Sequence, residues 1–149
     1  MMAREVDYRG QDTKQRRITM ARYFTREEAE ALLPQISVIL RDIQRERASM
    51  RESGEELAAL EARTRGNGHH LHEPIAKLQQ ELAKRVQALQ ALATELDRFG
   101  CELKDPDSGL IDFLSLRDGR EVYLCWRLGE ERINYWHELH TGFAGRQPL

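Results

Sequence analysis

The chain reads as an α+β protein: a long antiparallel α-helical hairpin followed by a small antiparallel β-hairpin or meander packed on it. Three observations carry that expectation. Apolar residues recur at helical spacing through two long stretches between Thr25 and Phe99. A polar break at Gly66-Asn67-Gly68 separates them. After Gly100 the period changes to strand-like alternation around Asp118-Gly119, a strong short-range hairpin signal.

The first helix opens on Thr25-Arg26-Glu27-Glu28, a capping box in which the Thr25 hydroxyl accepts from the Glu28 amide and Glu28 reaches back. Its stripe is Ala29, Leu32, Leu33, Ile36, Ile39, Leu40 and Ile43. Pro34 falls inside the run and predicts a kink. Beyond Ile43 the sequence turns polar, Ser53-Gly54 is a weak point, and Leu57 and Leu60 resume the pattern faintly. The second helix starts near Glu73-Pro74, with Pro74 in the first turn. Its stripe runs Ile75, Leu78, Leu82, Val86, Leu89, Leu92, Leu96 and Phe99, and Gly100 stops it. A short loop between them predicts antiparallel pairing, each helix with one stripe of coiled-coil type.

Asp105-Pro106-Asp107-Ser108-Gly109 is turn chemistry. Leu110 to Leu116 and Glu121 to Leu128 read as strands. With Asp118-Gly119 as the turn, Leu116 faces Glu121, Phe113 faces Leu124, Ile111 faces Trp126 and Asp112 faces Cys125. Ile111, Phe113, Val122, Leu124 and Trp126 then form an apolar face for the helices, and Asp112, Leu114, Tyr123, Cys125 and Arg127 a mixed one. Arg132 to Leu139 reads as a third strand, with a short helix at Tyr135 to His140 as the alternative. A connection of two or four residues puts Ile133, Tyr135 and His137 on the apolar face and Trp136 and Glu138 beside Asp112. A connection of three moves His137 beside Asp112 and Cys125. The apolar character of Ile133 and Tyr135 favours the first arrangement.

The 149 residues bound one domain, 23–149, after an N-terminal tail, 1–22, expected to be disordered. Within the domain the hairpin spans 25–99 and the β unit 109–149. The tail has an excess of basic residues, the footprint of a nucleic-acid arm, but the poorly ordered extension is the preferred reading. A net charge of −2 argues against general affinity for nucleic acid or anionic membranes. No apolar run approaches the roughly 20 residues that span a bilayer, and no secretory h-region is present. Two cysteines without CxxC spacing suggest reduced thiols and a cytoplasmic, bacterial-type location.

Several motifs are distinctive: Tyr23-Phe24-Thr25 opening a helix, Gly100 to Pro106, Gly109 to Phe113, Leu124 to Glu130, Tyr135 to Glu138 and Gly142 to Arg146. On these the segment from Tyr23 to Leu149 resembles the bacterial domain-of-unknown-function family numbered 2203, some members of which carry the label "division initiation protein". The resemblance implies no established activity, substrate or cofactor.

His137-Glu138-Leu139-His140 offers two imidazoles and a carboxylate, so His137, Glu138, His140 and Glu130 form one candidate metal set for a divalent ion. The spacing is i, i+3 rather than the i, i+4 of a helical zinc motif, and in a strand His137 and His140 point to opposite faces. Asp112 or Cys125 would add ligands. The alternative is a packed, hydrogen-bonded His137 and a surface His140. A second candidate set, for a small ligand, is Asp112, Arg127, Trp136 and Arg146. Cys125 with His137 and Asp112 has the composition of a nucleophile, base and orienter, but a strand cysteine between Leu124 and Trp126 reads better as a small buried residue. No catalytic residue is assigned. Asp112 and Arg127 read as a diagonal salt bridge. Gly142 to Arg146 reads as a hinged tail that docks Phe143 in the core, with Arg146 paired to a carboxylate. His69, His70 and His72 read as a solvated loop. The expected function is a cytoplasmic interaction or scaffold module, homodimeric because two apolar stripes have only a small sheet to cover them, with an unidentified protein as further partner. The alternative is a metal- or small-ligand-binding protein using the acidic, histidine and tryptophan face of the β unit.

Overall fold

The computed structural model describes residues 22–67 and 69–149; the expected tail, Arg22 excepted, lies outside them. Helix α1 spans Arg26–Asn67 and α2 spans His72–Arg98, with a single 3-10 turn at His69–Leu71 between them. Five strands follow: β1 Glu102–Asp105, β2 Leu110–Arg117, β3 Arg120–Arg127, β4 Tyr135–Glu138 and β5 Gln147–Pro148. All pair antiparallel in chain order, so the sheet is a plain meander.

Local chemistry starts α1 where the sequence says it must. The Glu28 amide donates to Thr25 Oγ1 and the Thr25 amide to Glu28 Oε1, both at 3.1 Å. Just before the cap, the Phe24 amide donates to the Leu114 carbonyl (2.8 Å) and the Ser115 hydroxyl to the Phe24 carbonyl (2.6 Å). These bonds fix the entry of α1 against β2. Ser53-Gly54 does not break the helix. A glycine there costs about 1 kcal/mol against alanine, and strong helix formers on both sides absorb it.

One core joins the first half of α1 to one face of the sheet. It contains Phe24, Ala29, Leu33, Ile36, Ile39, Leu40 and Ile43, the α2 residue Leu96, and Ile111, Phe113, Val122, Leu124, Trp126 and Trp136. The hairpin register is the expected one, pair for pair from Leu110↔Arg127 to Arg117↔Arg120. Asp118 (φ 51°) and Gly119 (φ 77°) make the turn.

Two expectations fail. The sheet begins at Glu102 rather than at 109, because the Asp105–Gly109 turn closes a hairpin between β1 and β2. The third strand takes the opposite parity. Tyr123 faces His137, Leu124 faces Trp136 and Cys125 faces Tyr135. Trp136 therefore joins the core face, while Tyr135 and His137 join Asp112 and Cys125. The connection is long and odd, held by Trp126 Nε1 donating to the Glu130 carbonyl (3.0 Å) and the Arg127 amide donating to Glu130 Oε1 (2.9 Å). Ile133 reaches the core from this connection, outside the strand, so its burial does not set the alternation of β4.

Candidate metal centre

Three strands bring three different donor atoms together. Asp112 on β2 faces Cys125 on β3. His137 on β4 faces Tyr123, one pleat from Cys125. The Nε2 atom of His137 lies 2.9 Å from Oδ2 of Asp112. One ligand atom from each of Asp112, Cys125 and His137 lies within 4.8 Å of the others. All three residues are buried, at 1%, 0% and 2% exposure. Asp112 Oδ1 is buried without a hydrogen-bond partner, a costly state for a carboxylate oxygen.

The hydrogen bonds define the imidazole. Its Nδ1 lies 2.7 Å from the Glu138 carbonyl, which can only accept, so Nδ1 carries a proton. Nε2 then faces Asp112, and a hydrogen bond there needs one further proton between the two residues. A bound cation would replace that proton. Anchoring Nδ1–H on a carbonyl is also how a metal-ligating histidine is usually oriented.

Cys125 behaves differently with and without an ion. Burial, then the charge of Asp112, push its thiol up to about 12, against a smaller downward pull from Arg146. Without a metal it stays protonated at neutral pH. A coordinating divalent ion deprotonates a thiol outright.

A cleft of about 300 Å³ has Asp112 and His137 at its base, with Lys104, Leu139, His140 and Phe143 among its walls. Arg146 holds the loop that forms one side. It donates to both Glu130 oxygens (2.7 and 2.8 Å) and to the Cys125 carbonyl (3.3 Å). Its guanidinium also lies against Tyr135 (4.1 Å) and Phe143 (4.8 Å). Opposite His137, Tyr123 sits at 5.5 Å between ring centroids. Burial, then a hydrogen bond with Glu102, raises its phenol above the ordinary value.

The expected site residues part company. Asp112 and His137 meet, and His140 lines the same cleft from an exposed position. Glu138 offers only its carbonyl; its side chain lies on the other face and pairs with Arg120 at 3.3 Å. Glu130 is taken by Arg146. Trp136 is on the core face, under the Arg117 guanidinium. Arg127 makes no bridge to Asp112 and lies 5.3 Å over the Phe143 ring. Phe143 is 45% exposed, so it is not docked in the core. His69 and His72 belong to the 3-10 turn and the start of α2, not to an open loop. Cys125, expected only as an additional ligand, completes the cluster. Its pairing with Asp112 was readable from the Asp-Gly turn; the parity of β4 was not.

No curated protein and no solved structure matches the chain. Residues 22–149, which contain both helices and all five strands, match the family described as "Uncharacterized conserved protein (DUF2203)", and the chain belongs to that family.

Proposed function

We propose that this is a divalent-metal-binding protein with Asp112, Cys125 and His137 as ligands, and that zinc is the ion the donor set favours. The observation that carries the reading is the meeting of one oxygen, one sulfur and one nitrogen donor within 4.8 Å on three neighbouring strands. Mixed O, S and N donors suit zinc better than magnesium or calcium, which take oxygen. Donors of a tetrahedral zinc ion stand about 3.3–3.8 Å apart, given bonds of about 2.0–2.3 Å. The Asp112–His137 contact must open slightly and Cys125 must close in, both within reach of side-chain rotation. Three protein ligands leave a fourth position, and the cleft supplies access to it. The two free, buried cysteines fit the reducing cytoplasm in which such a thiol persists.

Elemental analysis of purified protein tests this, with calorimetric zinc titration after chelation. One zinc per chain is expected. Binding should release the proton of the Cys125 thiol. Asp112→Asn should weaken binding by at least about 100-fold. Protein that takes up no zinc after chelation would overturn the reading.

A second proposal concerns assembly. Val38 and Val86, on the two helices, are 55% and 41% exposed, and Leu82 is half-buried. A second copy would cover this surface, so sedimentation should give twice the 17.4 kDa chain mass. A monomer at micromolar concentration would contradict it.

A further inference from the structure

Seven large apolar side chains are exposed among the described residues. Leu139 and Phe143 flank the metal cleft, and Val38 and Val86 lie on the helices. The other three, Tyr23, Leu116 and Leu149, gather around a second cleft of about 370 Å³.

The cleft exists because α1 begins only at Arg26. Phe24 is pinned to Leu114 and Ser115, so the chain enters the helix beside the end of β2. Val122, Leu124 and Trp136 contribute to the cleft from β3 and β4. Trp136 belongs to the face opposite Asp112, so this cleft is separate from the metal centre.

Two arginines line the cleft, and at its rim the Tyr23 hydroxyl donates to Glu121 Oε1 at 2.5 Å. Arg26 is neutralised by Glu30 at 2.9 Å and also donates to Asn134. Arg117 lies 4.6 Å over the Trp136 ring and has no carboxylate partner among the described residues. A guanidinium resting on an indole keeps its N–H edges available to a planar anion.

We propose that this cleft binds an amphiphilic organic anion, with its apolar body against Tyr23, Leu116 and Leu149 at the edge of Trp136 and its carboxylate on Arg117. The volume lies in the range of small-molecule sites, and an apolar lining with few polar groups is their usual composition. An arginine fork is the group that best matches a carboxylate.

The test uses the full chain with decanoate as probe, below its micelle concentration, and decanol as the uncharged twin. Titration is followed by calorimetry and by the two indole N–H resonances in NMR spectra. The Trp136 resonance should move. That of Trp126, whose indole donates to the Glu130 carbonyl, should not. Arg117→Ala, an exposed substitution that leaves the core intact, should weaken decanoate binding about tenfold, with Arg117→Lys intermediate. Decanol should bind wild type no better than decanoate binds Arg117→Ala. Chelation of metal should leave all of this unchanged. A stationary Trp136 resonance, or equal affinity in Arg117→Ala, would overturn the proposal. So would a dimer that shields Trp136 and excludes decanoate, which assigns the cleft to a second copy. Binding that appears only after removal of residues 1–21 would assign it to that segment instead.

Discussion

The two faces of the sheet bury side chains of opposite chemistry. Toward the helices lie Ile111, Phe113, Val122, Leu124, Trp126 and Trp136, packed with apolar residues of α1. Away from the helices lie Asp112, Cys125 and His137, equally inaccessible, beneath a cleft bounded by the loop that Arg146 clasps. The first face does what a sheet face does in any two-layer domain. The second gains little from burial, and its Asp112 Oδ1 has no partner.

Substitutions on the two faces should therefore separate stability from binding. The largest effect belongs to the core face. Phe113, fully buried with its ring 5.1 Å edge-on from Phe24, should cost about 3–5 kcal/mol as Phe113→Ala. The metal content of whatever remains folded should not change. His137→Ala should do the reverse, removing the ion with a smaller loss in the thermal transition of the metal-free protein. If both substitutions lose metal only in proportion to folded protein, the faces are not functionally distinct.

Alkaline pH sharpens the comparison. Burial pushes the Cys101 and Cys125 thiols up to about 12. In the unfolded chain they titrate near 8.5. Between these values the native state holds more protons than the unfolded state, so stability falls as pH rises from about 9 toward 12. The slope is about 1.4 kcal/mol per pH unit for each thiol. Cys101→Ala should remove one share in metal-free protein, and saturating zinc should remove that of Cys125. Thermal melts at successive pH values check this; an identical slope with and without zinc would show that Cys125 is no ligand.

Smaller effects lie in the turns and caps. Gly119 has open space where a side chain would stand, so Gly119→Val tests its positive φ alone and should cost about 1–3 kcal/mol. Gly109 combines positive φ with a close approach to Leu128, 2.6 Å from an added Cβ. Gly109→Ala should accordingly lower the melting temperature more than Gly119→Ala. Thr25→Ala removes the reciprocal cap of α1 and should cost about 1 kcal/mol.

What the sequence could disclose follows from the range of each signal. The capping box at Thr25, the stop at Gly100 and the turn at Asp118-Gly119 are local, and all three are found where expected. The Asp-Gly turn also fixed Asp112 opposite Cys125, because a two-residue turn leaves no freedom of register. His137 lay beyond that reach. Its face depends on the parity of the connection between β3 and β4, where Trp126 Nε1 and the Arg127 amide donate to Glu130 in bonds that no local pattern announces. Ile133 misled because an apolar residue in a loop mimics the alternation of a strand. Glu138 misled in the same register: beside a histidine in sequence, it points to the opposite face.

Cobalt substitution tests the metal centre most directly. Co(II) added to chelated protein should bind at one equivalent with an intense near-ultraviolet thiolate-to-cobalt band and visible transitions of a four-coordinate ion. Cys125→Ser should abolish the thiolate band, and His137→Ala should weaken the visible transitions. Cobalt that binds without a thiolate band, or a band unchanged in Cys125→Ser, would contradict the assignment of Asp112, Cys125 and His137 as a single centre.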